Sequence, residues 1–155
     1  MRKITNSDKG IYILEIKANH PFYLSSKIFK NREMPSGYYY YVGSAQKNLY
    51  SRVSRHIKKK KKVHWHIDQI TTLNITDVKN VYLFMDQGKN FECELVKDLV
   101  KRTDMDYAID NFGNSDSKQC KSHLLYSKKR IPHNHFSFLY HSIVRLIPSS
   151  IEISD

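Results

Sequence analysis

Cysteine, acidic charge and long apolar runs are all scarce in this chain, and each shortage closes off a class of protein. Its 155 residues hold two cysteines, Cys93 and Cys120, too few for the framework of a small secreted domain and suited to a reducing compartment. The longest apolar stretches, such as Val81 to Met85, are far too short to span a bilayer. The N-terminal Met1 to Asp8 lacks an apolar core after its charges, so no export signal is read and a cytoplasmic or nucleoid location is expected. Fifteen acidic residues face 26 lysines and arginines, a net charge of +11 and a pI near 9.6. A field of that sign favours a polyanion, which makes nucleic acid the leading partner and charge kept for solubility alone the plainer alternative.

Forty per cent apolar content is enough for one real core. No repeat or boundary divides the chain, so a single domain over 1–155 is expected, with a core at 10–102 and a C-terminal extension at 103–155 packed on or beside it. Residues 10–16 and 38–42 read as strands, the second with Tyr39 and Tyr41 on one face and Tyr38, Tyr40 and Val42 on the other. A short strand is read at Phe22 to Ser25, and the polar segment Lys27 to Gly37 reads as a loop. Leu49, Val53 and Ile57 recur every four residues as a helical stripe. A short helix around Trp65 to Leu73, a strand at Val78 to Met85, a turn at Gln87 to Asn90 and a helix at Phe91 to Arg102 follow. Beyond the stretch 111–122 come a strand at His123 to Tyr126 and a last helical stripe from Phe136 to Ile147, ending before Pro148. The fold class is α/β of the α+β type: a small, mainly antiparallel sheet flanked by helices.

Gly10-Ile11-Tyr12 and Tyr41-Val42-Gly43 resemble the two halves of the GIY-YIG nuclease signature. The continuation Gly43-Ser44-Ala45, the run Arg52-Val53-Ser54-Arg55-His56, and Glu92 opening a helix after a strand follow that superfamily's order. Trp65-His66-Ile67-Asp68, Phe112-Gly113-Asn114-Ser115-Asp116 and Ser122-His123-Leu124 are similar to a branch of small stand-alone GIY-YIG proteins. That branch often carries a further cysteine where Ser117 stands here. The resemblance implies a metal-dependent DNA endonuclease of repair, restriction or mobile-element processing, using Mg²⁺ with Mn²⁺ as a substitute, and Tyr12 nearest the nucleophile with Tyr41 assisting. It also implies DNA over RNA. Residues 13–40 separate Tyr12 from Tyr41, farther than the family's usual spacing, and are expected to form an excursion that leaves the two strands paired.

The residue types fit that chemistry. Cutting a phosphodiester needs an activated water, stabilisation of added negative charge and help for the departing oxygen. Arg52 and His56, four apart on one helix, share a face and can converge on one phosphate; an arginine fork suits phosphoryl oxygens, and histidine titrates near neutrality. A tyrosine base would need nearby positive charge or a metal-bound partner. Helical phase puts Glu92 with Leu95, Val96 and Leu99, facing the sheet, and Glu94 opposite, among Lys97, Asp98 and Lys101. A core-facing carboxylate calls for a partner or a cation, and a hard oxygen suits Mg²⁺; a charge complementing the helix dipole is the other reading of Glu92. His66 reads as an accessory residue at the rim or as a packed histidine. Lys58, Lys59, Lys60, Lys61 and Lys62, with Arg55, read as a track for backbone phosphates, and Lys128, Lys129 and Arg130 either extend it or form a solvated loop. His64, His66 and Asp68 make no convincing zinc set, and Cys120 with His123 has a possible ligand spacing, though a single such pair is common by chance. A catalytically silent nucleic-acid-binding domain of the same fold is the reading from a different class.

Overall fold

A computed structural model describes residues 8–113, 119–140 and 142–151. Met1 to Ser7, Asn114 to Ser117 and their use in the readings above lie outside them. The centre is a hairpin of two nine-residue strands, β1 (Gly10–Ala18) and β4 (Gly37–Ala45), paired antiparallel from Gly10 opposite Ala45 to Ala18 opposite Gly37. Between them lie β2 (Phe22–Tyr23), a 3-10 turn (Lys27–Phe29) and β3 (Glu33–Met34). The expected loop at 27–37 is thus a small folded unit, because Phe22, Leu24, Phe29 and Met34 are buried against the main core and leave its polar residues outside. The β1–β4 register runs without a break despite this excursion.

Four more strands complete an antiparallel sheet, β5 (Thr76–Met85), β6 (Asp106–Tyr107), β7 (Leu124–Ser127) and β8 (Val144–Leu146), in the order β6-β7-β4-β1-β5-β8. Alternation along β1 sends Tyr12, Leu14 and Ile16 to one face and Ile11 and Ile13 to the other. The first face is covered by α1 (Leu49–Ile57) and α2 (Asp68–Thr71), the second by α3 (Asn90–Arg102) and α4 (His133–Leu139). The α+β class with a mainly antiparallel sheet is therefore what the chain adopts.

The stripe from Phe136 to Ile147 does not form one helix. Helix α4 ends at Leu139 with Phe136 as its buried residue, and Val144–Leu146 instead pairs with Val81–Leu83 of β5. The outer edge of β5 offers unpaired backbone groups, and a β-branched pair, Ile143 and Val144, meets that demand better than another helical turn. The segment after 102 thus supplies β6, β7 and β8 to the same sheet. No helix among the described residues is long and apolar enough to cross a membrane.

Candidate functional site

Tyr12 and Tyr41 lie on one face of neighbouring strands, offset by two residues because Tyr12 pairs with Gly43 and Tyr41 with Leu14. Their ring centroids are 6.3 Å apart. A side chain at Gly43 would overlap the Tyr12 ring, so the absence of a Cβ is what lets the phenol lie over the strand. From α1, His56 reaches the same place: its Nε2 is 2.8 Å from the Tyr12 hydroxyl. Arg52, one turn earlier, donates from Nη1 to the Ser44 carbonyl at 2.7 Å and stacks its guanidinium 4.8 Å from the Trp65 ring centre. That pairing and stacking hold the fork before any ligand arrives.

Glu92 enters from the first turn of α3, buried with Leu95, Val96 and Leu99, while Glu94 is exposed. The helical phase read from the sequence matches this arrangement. Tyr12, Tyr41, Arg52, His56 and Glu92 all line one cavity of about 350 Å³, in which Glu92 is the one carboxylate among the described lining residues. His66 lines it too, yet its Nδ1 accepts the Gly113 amide at 2.9 Å and its ring packs on Phe29 and Phe112. It therefore holds the 112–113 turn at the rim, where Gly113 sits at φ +74 against Tyr41, a left-handed conformation natural to glycine.

The electrostatics keep the site's proton carriers neutral. Burial, then Tyr41, raises the Tyr12 phenol well above its usual value, with Arg52 only partly offsetting it. Burial and Glu92 raise Tyr41 likewise. Burial, then Lys61, brings His56 down to about 3, so at neutral pH it meets Tyr12 as an uncharged imidazole whose Nδ1 has no hydrogen-bond partner among the described residues. Burial and Lys89 hold His123 at about 4. Burial alone would raise Asp68, but Arg55 and the amides of Trp65 and His64 outweigh it and hold the carboxyl below its usual range.

Asp68 explains much of the local architecture. It accepts from both terminal nitrogens of Arg55, at 3.1 and 3.0 Å, and from the backbone amides of His64 and Trp65, at 2.9 Å each. Arg55, expected on the phosphate track, is committed to this clamp and to the Lys62 carbonyl, and also stacks on Trp65. The lysine run divides in the same way. Lys61 donates to the Arg55 and His56 carbonyls at the end of α1, with burial lowering its ammonium to about 8. Lys59 donates to the Leu73 and Thr76 carbonyls. Lys60 and Lys62 are exposed, and Lys58 is half-buried.

The second basic cluster lies elsewhere. Lys128 and Lys129 are exposed just beyond Ser127, which pairs with Tyr38, itself opposite Lys17. That is five residues along β1 from Tyr12, roughly 16 Å at strand rise. Arg130 lies 3.4 Å from the buried Glu15 carboxylate, which also accepts from Tyr40 and Asn80, and lines a different cavity with Lys17, Lys79 and Arg145. Arg130 is thus committed to Glu15, while Lys128 and Lys129 stay exposed at the end of the sheet where Lys59 also reaches Thr76, opposite Ala18.

Three contributors escaped the sequence reading. Lys89 lines the cavity, but a single lysine in a turn carries no signal. His123 also lines it, with Nδ1 3.3 Å from Glu92 Oε1; its spacing to Cys120 was visible, its proximity to Glu92 was not. Cys93 and Cys120, read as too few for a secreted framework and suited to a reducing compartment, are joined as a disulfide, because α3 and the strand approach to β7 bring together residues 27 apart in sequence. No curated protein and no solved structure matches the chain. Residues 11–145 match the family model described as Domain of unknown function DUF123, and since that match covers most of the chain, the protein belongs to this family.

Proposed function

We propose that the chain is a Mg²⁺-dependent endonuclease of the GIY-YIG kind, cutting the phosphodiester backbone of DNA. The observation that carries the reading is the 2.8 Å contact between the Tyr12 hydroxyl and a buried, neutral His56, inside a cavity that also holds Arg52, Tyr41 and Glu92. The donor set suits Mg²⁺: one buried carboxylate supplies a hard oxygen, and phenol oxygens and space for water surround it. When bound at Glu92, the ion would polarise a phosphoryl oxygen and neutralise developing charge.

The chain's own groups divide the remaining work. Tyr12 orients the attacking water and takes its proton while passing its own to His56 Nε2, a relay that needs no free phenolate. The low proton affinity of His56 comes from burial and from Lys61, Arg55 and Arg52, and an anionic phosphate beside it raises that affinity as substrate enters. Arg52, held by Ser44 and Trp65, presents its fork to the non-bridging oxygens. Tyr41 assists Tyr12 in orienting water. Lys60 and Lys62 contact flanking phosphates, adding affinity without base specificity. DNA rather than RNA rests on the resemblance of Gly10-Ile11-Tyr12 and Tyr41-Val42-Gly43 to the family signature.

Plasmid nicking in Mg²⁺ or Mn²⁺ against EDTA tests the reading, with Glu92→Ala and Arg52→Ala beside wild type. Cleavage that needs the divalent ion and is lost in both variants is expected. Undiminished cleavage by both would reject the site. Binding with no cleavage across single-stranded, duplex, flap, branched and damaged DNA and RNA would make the chain a silent binding domain.

A further inference from the structure

Beside Glu92, with His123 lining the same cavity, three donors of a different chemical character converge. Cys93 follows Glu92 on α3, Cys120 precedes β7 by a few residues, and His123 adjoins it. Their ligand atoms all lie within 4.8 Å of one another, and all three residues are buried. Cys93 Sγ is 3.8 Å from His123 Nε2, close to the roughly 3.6 Å that separates two donors bound to one tetrahedral ion at about 2.0–2.3 Å. The other ring nitrogen of His123 points to Glu92 Oε1, 3.3 Å away. A carboxylate on Nδ1 fixes the tautomer that leaves the Nε2 lone pair directed at the sulfurs, the arrangement that accompanies metal-bound histidine in general.

We propose that Cys93, Cys120 and His123 form a site for a thiophilic divalent cation of the Zn²⁺ type, alternating with the Cys93–Cys120 disulfide. In the form described here the sulfurs are bonded to each other. A dithiol reductant breaks that bond, delivering two electrons and two protons and becoming a disulfide itself. The two thiols then release their protons to solvent as the cation binds two thiolates and the neutral imidazole, and water takes the fourth position. Two soft thiolates and an imidazole select against Mg²⁺, whereas the single carboxylate oxygen of Glu92 selects for it, so two unlike ions can occupy neighbouring places without exchange. The cation, through His123, acts on the placement of Glu92. The site itself stands on the side-chain cluster; only its effect on cleavage rests on the nuclease reading.

The test uses the full chain reduced with a phosphine, which delivers the two electrons while taking oxygen from water, and titrated with Co²⁺ as a spectroscopic probe. One equivalent per chain is expected, with thiolate-to-cobalt charge-transfer absorption, tetrahedral ligand-field bands, and displacement by Zn²⁺. Cys120→Ser should lose the charge-transfer intensity expected of two thiolates, and His123→Ala should bind at least tenfold more weakly, with far-UV circular dichroism reporting that each is folded. Oxidised wild type, which needs no substitution, should show no thiolate-to-cobalt charge-transfer absorption. Reduced wild type that binds less than one equivalent, or a spectrum identical in the oxidised chain or in folded Cys120→Ser, would overturn the proposal. Because the readout is absorption and stoichiometry, a cobalt site in a chain that never nicks DNA would sink the nuclease reading alone, and cleavage by a chain without the site would sink this one alone.

Discussion

At the scale of single residues, function depends on a few atoms held where water cannot compete. Tyr12→Phe removes the hydroxyl that faces His56 Nε2 while keeping the ring over Gly43, so single-turnover cleavage should drop roughly 10²–10⁴-fold with the circular dichroism spectrum unchanged. An unaltered rate would remove Tyr12 from the relay. Gly43→Ala drives a methyl into that ring and should cost both stability and cleavage, with the Tyr12 ring displaced in a crystal structure of the variant. The buried histidines set a pH dependence. Folding lowers His56 to about 3 and His123 to about 4, whereas both titrate near about 6.5 when unfolded. The unfolded chain therefore binds more protons in that window: stability is complete above about pH 6.5 and is lost on acidification toward pH 4, by up to about 1.4 kcal/mol per pH unit for each group. Thermal melts across that range should show the decline, with a shallower slope in His56→Gln; a flat profile would exclude burial of neutral imidazoles.

At the scale of elements, the clamp on Asp68 joins α1 to the 64–68 turn and carries Trp65 against Arg52. Asp68 is fully buried and Arg55 only partly so, so breaking the pair leaves most of the loss at the carboxylate's own partners, the His64 and Trp65 amides and the guanidinium. Asp68→Ala should lower unfolding free energy by on the order of 2–4 kcal/mol in denaturant titrations and release Trp65, seen as a fluorescence change. Elements also show how far the sequence could be read. The alternation around Tyr12 and Tyr41 and the stripe Leu49, Val53, Ile57 were legible because each places its apolar side chains by local period alone. The stripe from Phe136 to Ile147 misled because strand or helix there depends on whether β5 has an unpaired edge, which nothing within the stripe encodes. Arg55, Lys59 and Lys61 show a related limit: a basic run looks equally available in sequence, and only the fold shows which members carbonyls and a carboxylate from other segments bind.

At the scale of the whole molecule, a charge of +11 makes any binding of the proposed DNA substrate strongly salt-dependent, and the exposed lysines of the 58–62 run are the charges expected to carry the slope. Lys60→Ala and Lys62→Ala, both exposed, should each reduce the slope of log Kd against log salt by about 0.9 on duplex DNA, measured by fluorescence anisotropy. Lys128→Ala and Lys129→Ala, roughly 16 Å along β1 from Tyr12, should leave that slope unchanged; a comparable drop would extend the DNA contact to that cluster. Composition, strand alternation and helical phase, including the side of α3 on which Glu92 lies, were decided by the sequence alone, since each follows from local period and side-chain chemistry. The meeting of Tyr12 with His56, of Glu92 with His123 and of Cys93 with Cys120 was decided only by the tertiary structure. Those contacts join residues tens of positions apart, and their geometry depends on how the sheet's strands and the helices on its two faces pack, which no local pattern records.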